Sequence, residues 1–234
     1  MPGITGIIGV GRTDERRAAL CQMVQSIRHE PFYTSGEYVN EKLGVWLGWV
    51  SHKDSFSDGM PIWNEKKDIC VIFAGEDYTD PEEIDRLRAI GHDFELGNAS
   101  YSVHLYEEQG VDFITRLNGR FSGIIVDLRK QIIVLFNDRY GLNRIYCYEN
   151  MSGFFFSSEA KTLLRALPEL RRLDPLSLAE AFSCGCVLQN RTLFAGVSLV
   201  PGGSAWTFFP NQSKRTYFRQ QVWEAQERLS ASDY

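Results

Sequence analysis

A chain of 234 residues with 44% hydrophobic and 24% charged residues has enough material for one large domain with its own core, or one domain plus an appendage. Its net charge of −5 argues against a nucleic-acid partner, because phosphate binding needs a clustered positive surface. No apolar run reaches membrane-spanning length, and the start lacks the basic-then-apolar pattern of a signal peptide, so neither a membrane partner nor secretion is expected.

In chain order, "GITGIIGV" reads as a short apolar strand. "DERRAALCQMVQSI" then places Ala18, Cys21, Val24 and Ile27 at three-residue spacing after an Asp suited to capping, which predicts a helix. "KLGVWLGWVS" and "DICVIFAG" read as strands, the second ending on small residues. In "SYSVHLYEEQGVDFITRL", Val103 and Tyr106 fall at helical spacing, and Gly110 marks a break between two helices. Three hairpins follow from strand pairs around turn residues: "RFSGIIVDLRKQIIVLFND", "RIYCYENMSGFFFSSE" and "GSAWTFFPNQSKRTYF". Between the last two, "SSEAKTLLRAL" predicts a helix starting at Ser158. "DPLSLAEAFSCG" predicts another, with Asp174 as N-cap, Pro175 at the first position and Gly185 at the end. The basic spot "RALPELRR", interrupted by Pro168 and Glu169, reads as a solvated helix end.

From about residue 212 the composition turns polar, which predicts a domain over 1–211 and a linker or tail over 212–234. The tail "QQVWEAQERLSASDY" is helix-capable but has no evident partner. The whole pattern favours one α+β domain with antiparallel sheets and helices on their outer faces. The five cysteines, odd in number and near apolar segments, fit buried thiols in a reducing cytoplasm. Cys184 and Cys186 form a C-x-C pair, but the four histidines (His29, His52, His92 and His104) lie far from it in sequence. Core packing is therefore expected of these cysteines, and neither a metal nor a cofactor is expected.

Three ordered segments resemble the class II glutamine amidotransferase domain of the asparagine synthetase family. "GITGIIG" stands where the family carries Cys-Gly-Ile-x-Gly. "VIFAGEDYTDPEEI" at 71–84 resembles its Val-x-Phe-Asn-Gly-Glu-Ile-Tyr-Asn segment. The stretch 104–164 keeps its Leu-Asn-Gly-x-Phe, Asp-Arg-Tyr-Gly and Ser-Glu-x-Lys-x-Leu-Leu landmarks in order. The resemblance covers roughly residues 2–218. It implies a four-layer αββα sandwich of two antiparallel sheets, of the N-terminal-nucleophile hydrolase type. Asn118-Gly119, Asp138-Arg139 and Gly141 read as turn geometry and a local ion pair.

The family's chemistry needs an N-terminal thiol to attack the glutamine amide and donors for the oxyanion. It also needs one partner for each charge of the glutamine zwitterion. The resemblance places Pro2 at the nucleophile, Ala74-Gly75 at the Asn-Gly oxyanion pair and Val50 at the carboxylate-binding Arg. It places Asn98 at the ammonium-binding Asp, and keeps Glu76 and Tyr78 beside the lost asparagine. The Arg-Gly-Pro-Asp turn is represented by "HEPF" at 29–32, with only Pro31 kept. Pro2, Val50, Ala74, Gly75, Glu76 and Asn98 thus outline a vestigial glutamine pocket with no catalytic residue.

Two readings follow. The first is an amidotransferase domain without glutaminase chemistry, forming the N-terminal part of an ATP-dependent amide-forming synthetase, as the β-lactam synthetases are similar in having lost glutamine hydrolysis. Its partner is a synthetase domain, since "PGGSAW" at 201–206 lacks the acidic and serine positions of the family's pyrophosphate loop. The second is a binding or scaffold module, whose ligand is an unidentified small molecule or a protein, a second copy of this chain included. A third chemistry, the amine of Pro2 as base or nucleophile, lacks a partner constellation in the sequence. Thr5 and Ser51 are the nearby hydroxyls, and neither is N-terminal.

Overall fold

The structure, a computed structural model, describes residues 2–78 and 80–221. Two six-stranded antiparallel sheets pack face to face. The first contains β1 (Gly3–Ile8), β2 (Tyr33–Asn40) and β3 (Val45–His52). The second begins with β4 (Ile62–Trp63), β5 (Ile69–Asp77), β6 (Gly119–Asp127) and β7 (Ile132–Asn137). The chain then returns to the first sheet with β8 (Tyr146–Asn150), β9 (Gly153–Ser157) and β10 (Ser198–Leu199), and closes the second with β11 (Ser204–Phe208) and β12 (Ser213–Thr216). The strand orders are β10-β8-β9-β1-β3-β2 and β12-β11-β7-β6-β5-β4.

The central place of β1 explains its composition. It is covered on both faces, so all six residues are buried and the strand reads as a continuous apolar run rather than an alternation. Ile4 and Ile8 join Leu47, Phe73, Phe121 and Phe136 in the core between the sheets, while Ile7 faces the other way.

Helices α1 (Thr13–Ile27) and α4 (Ala160–Ala166) cover the outer face of the first sheet, where Leu20, Met23, Val24 and Ile27 meet Trp46, Val50 and Phe155. Gly48 allows this approach: a Cβ there would sit 2.2 Å from Val24 Cγ2. The helices α2 (Pro81–Ala89) and α3 (Ser100–Gln109) cover the second sheet, with Val103, Leu105 and Tyr106 buried. The four-layer αββα order expected from the resemblance is therefore present. No helix among the described residues is long and apolar enough to cross a membrane.

Several local expectations are corrected. Ala18 and Cys21 lie on the exposed side of α1, because the buried side of that helix is fixed by Arg16, which donates to Val10 O at 3.0 Å and also to Ser152 O. Ser158 does not cap α4; its hydroxyl accepts the Ile4 N–H at 2.9 Å and so pins β1. Cys21, Cys184 and Cys186 are exposed, and only Cys70 and Cys147 are buried. Asp138 organises its turn by accepting N–H bonds from Tyr140, Leu142 and Asn143, whereas Arg139 reaches Asn118 Oδ1 rather than pairing with it. The boundary at 211 falls inside a hairpin: β12 pairs with β11, and Tyr217 Oη donates to Asn137 O at 2.8 Å. The expected Asp174 cap, Pro175 start and Gly185 end of α5 (Pro175–Cys184) are all found, with Gly185 in the left-handed conformation. Most of the helix-capable tail lies outside the described residues.

Candidate functional site

β1 enters the site from the first sheet and β5 from the second. The start of β1 is held twice by Ser158, whose hydroxyl takes the Ile4 N–H and whose own N–H donates to Ile4 O at 2.8 Å. This fixes Pro2, half-buried, where two cavities meet. One, of about 660 Å³, runs from Pro2 along His29, Arg144, Glu159 and Lys161. The other, of about 370 Å³, runs along His52, Ser57, Gly75, Glu76 and Tyr78. Pro2, Arg120 and Asn143 line both.

In the smaller cavity Gly75 has φ +111°, and a Cβ there would sit 2.1 Å from Arg120 O, so the position demands glycine. Its N–H is engaged: it donates to Ser57 Oγ at 2.9 Å, and that hydroxyl donates to Gly75 O at 2.7 Å. The side chain of Ala74 offers no donor, and its carbonyl accepts from Asn143 Nδ2 at 2.7 Å. Glu76 lies beside them, accepting weakly from Tyr78 Oη at 3.4 Å.

The pocket outlined by the sequence is thus assembled in part. Pro2, Gly75 and Glu76 line the smaller cavity, with the Ala74 carbonyl behind it. Val50 does not line either cavity; the strict alternation of β3 turns it into the helix-side core with Leu20 and Val24, and turns Trp49 to the inter-sheet side. Asn98 is also elsewhere. Its Oδ1 accepts the Ser100 N–H at 2.8 Å and its Nδ2 donates to Glu95 at 2.9 Å, so it shapes the start of α3. Thr5 Oγ1 donates to Phe156 O at 3.0 Å, and Ser51 Oγ is 2.7 Å from Thr34 Oγ1, so both hydroxyls are held inside the sheet.

Sequence reasoning missed Ser57, Arg120, Asn143 and the trio at His29. His29 Nε2 lies 2.6 Å from Glu159 Oε1, and Lys161 Nζ lies 3.0 Å from Glu159 Oε2. Burial works against the charge on Glu159, but hydrogen bonds from His29 and Lys161 outweigh it and hold the carboxyl below the ordinary glutamate range. His29 and Glu159 are 130 residues apart in sequence, so only the Ser-Glu-x-Lys landmark could have pointed to the trio.

Chemically, the site joins a proline, a glycine whose N–H is already bonded, an alanine, and a wall of basic residues with Glu159 among them. Among the described residues no thiol lines either cavity, and the Ser158 hydroxyl at the head of β1 accepts the Ile4 N–H.

Two antiparallel sheets between helical layers, with the first strand opening onto the cleft, define the N-terminal-nucleophile-type amidotransferase sandwich. The family model described as glutamine amidotransferase domain matches residues 1–222, and the chain belongs to that family. It is 30% identical over 166 residues to asparagine synthetase [glutamine-hydrolyzing] of Zea mays, covering 70% of this chain and 28% of that protein. It is 31% identical over 166 residues to asparagine synthetase [glutamine-hydrolyzing] 1 of Arabidopsis thaliana, with the same coverage. The chain therefore spans under a third of the length of these curated relatives. Among solved structures, it shares its fold with the allosteric regulatory enzyme of purine biosynthesis, at TM-score 0.64 and 12% identity, over 92% of this chain and 49% of that one. It shares it also with the glutamine phosphoribosylpyrophosphate amidotransferase of B. subtilis, at TM-score 0.62 and 10% identity, with the same coverage.

Proposed function

We propose that this asparagine synthetase-like amidotransferase domain no longer hydrolyses glutamine, and that it serves as the amidotransferase-fold part of an ATP-dependent amide-forming synthetase. The observation that carries this reading is the wall facing Pro2: the Gly75 N–H is bonded to Ser57 Oγ, and the neighbouring residue is Ala74. A tetrahedral intermediate there would find no thiol at Pro2, no side-chain donor at Ala74, and a Gly75 N–H already bonded to Ser57 Oγ. Loss of a single oxyanion donor costs on the order of 100-fold or more in rate, and loss of the nucleophile removes the covalent route. The names of the relatives include glutamine hydrolysis; in support of its loss here, the family resemblance sets Pro2 and Ala74 where a nucleophile and an asparagine are expected. The test is hydrolysis of glutamine by the purified protein, alone and with any synthetase chain that co-purifies with it.

A second reading, a binding module, is favoured by the persistence of the larger cavity with His29, Arg120, Arg144 and Lys161 in its wall. His29 and Lys161 are paired with Glu159 of the same wall, and Arg120 and Arg144 beside them suit a small anion. Thermal-shift measurements with amino acids and inorganic phosphate separate it from the first reading, which requires no ligand.

A further inference from the structure

The connection around α2 and α3 holds a cluster that neither cavity uses. Glu65 sits in the turn between β4 and β5, and His92 follows α2. His104 and Glu107 stand one turn apart on α3. One ligating atom of each of the four lies within 4.8 Å of all the others. The approaches converge on a small volume: His104 Nδ1 is 3.1 Å from Glu107 Oε2 and 3.7 Å from Glu65 Oε2, and His92 Nδ1 is 3.9 Å from Glu107 Oε2. A tetrahedral ion with bonds of about 2.0–2.2 Å needs ligand atoms about 3.3–3.6 Å apart.

The surroundings orient these atoms as an ion would require. His92 Nε2 lies 3.0 Å from Glu108 Oε1, which makes Nε2 the N–H and leaves Nδ1 with its lone pair. Glu107 Oε1 accepts from Asn64 Nδ2 at 2.8 Å, leaving Oε2 for the cluster. Asn64 is itself locked, since its Oδ1 accepts the N–H groups of Asp68 and Ile69. The ring of Phe94 stacks on His104 at 5.4 Å.

Charge points the same way. Glu65 and Glu107 both converge on a single nitrogen, His104 Nδ1, which has at most one proton to give. A dication satisfies both carboxylates at once. The His104 side chain is only 4% exposed while that of Glu65 is 51% exposed, so the site has a closed floor and an open side for entry.

We infer that Glu65, His92, His104 and Glu107 form a binding site for a divalent first-row transition ion of the zinc type. Two imidazole nitrogens and two carboxylate oxygens are the donor set such an ion takes. The ion ties the β4–β5 turn to the α2–α3 layer. The histidines fall 12 positions apart in sequence, and only the fold brings them together with Glu65.

The full chain, stripped with a chelator, is titrated with Co²⁺ and then Zn²⁺. One Co²⁺ per chain is expected, with visible d–d bands and no thiolate charge-transfer band in the near ultraviolet, displaced by Zn²⁺. In a competition with a chromophoric chelator, His92→Ala and Glu65→Gln each weaken Zn²⁺ binding at least tenfold, while the Cys184→Ser/Cys186→Ser double variant leaves it unchanged. His104 is buried and its removal risks the fold, so the unsubstituted chain's Co²⁺ spectrum carries the test without it. Absence of stoichiometric d–d bands overturns the inference. So does a thiolate band that disappears with the two cysteines, or Zn²⁺ affinity unchanged in His92→Ala.

Discussion

Ser57 Oγ and Gly75 bond each other twice: the hydroxyl accepts the Gly75 N–H at 2.9 Å and donates to the Gly75 carbonyl at 2.7 Å. This bridge closes the backbone donor on the side of the cavity that faces Pro2. On the proposed reading, a backbone donor as well as the side chains argues against glutamine hydrolysis.

Pro2→Cys is therefore expected to restore a thiol without restoring turnover. The Ala74 side chain supplies no donor and the Gly75 N–H remains engaged, so at least two oxyanion contacts are missing, each worth on the order of 100-fold. Adding Ser57→Ala and Ala74→Asn to Pro2→Cys is expected to raise any glutaminase rate above that of the single variant. Ser57→Ala alone is expected to lower stability by about 0.5–1.5 kcal/mol, because water in the cavity can replace the lost partner of the Gly75 N–H. Urea unfolding of the variants checks the second figure, and a glutamate-release assay checks the first.

The trio of His29, Glu159 and Lys161 sets a pH dependence. The folded carboxyl of Glu159 lies below its unfolded value. Its contribution to stability is therefore present in full above the ordinary glutamate pKa of about 4.3 and is lost as pH falls through the folded value. The stability advantage of the unsubstituted chain over Glu159→Gln is expected to be roughly 1 kcal/mol or less near neutrality, since the group is partly solvated, and to vanish in acid. Denaturant midpoints of both proteins between neutral pH and pH of about 3 measure it. An advantage that grows as pH falls below the ordinary glutamate pKa of about 4.3 contradicts the assignment.

Thiol reactivity separates the cysteines. Burial pushes the Cys70 thiol up to about 12 and raises that of Cys147, so neither forms thiolate near neutrality. Cys21, Cys184 and Cys186 are exposed. A disulfide reagent at mildly alkaline pH is expected to modify these three in the native protein, and Cys70 and Cys147 only after unfolding.

What the sequence revealed follows from how local each signal is. The hairpins of β6–β7, β8–β9 and β11–β12 carry turn residues between apolar runs, and all three pair as read. The Asp174-Pro175 start of α5 is equally local, and the same Asp-Pro pattern at Asp80-Pro81 opens α2, a helix the sequence reading left out. Facing was less legible. On β3 a shift of one position exchanges the helix-side layer for the inter-sheet layer, so Val50 and Trp49 cannot be told apart by composition when both sides are buried. The pocket's own partners were the least visible: Ser57 reaches Gly75 across 18 positions, and Asn143 reaches Ala74 across 69. Such contacts belong to the sandwich, and no spacing rule within one strand contains them.

The most direct test of the central claim is glutamate release from glutamine by the purified full chain, its intact mass first establishing whether Pro2 is the N-terminal residue. The account predicts no release above a no-protein control at saturating glutamine, whether or not Met1 has been removed. Saturable glutamate release that follows the protein through purification and is abolished by Gly75→Ala would contradict it.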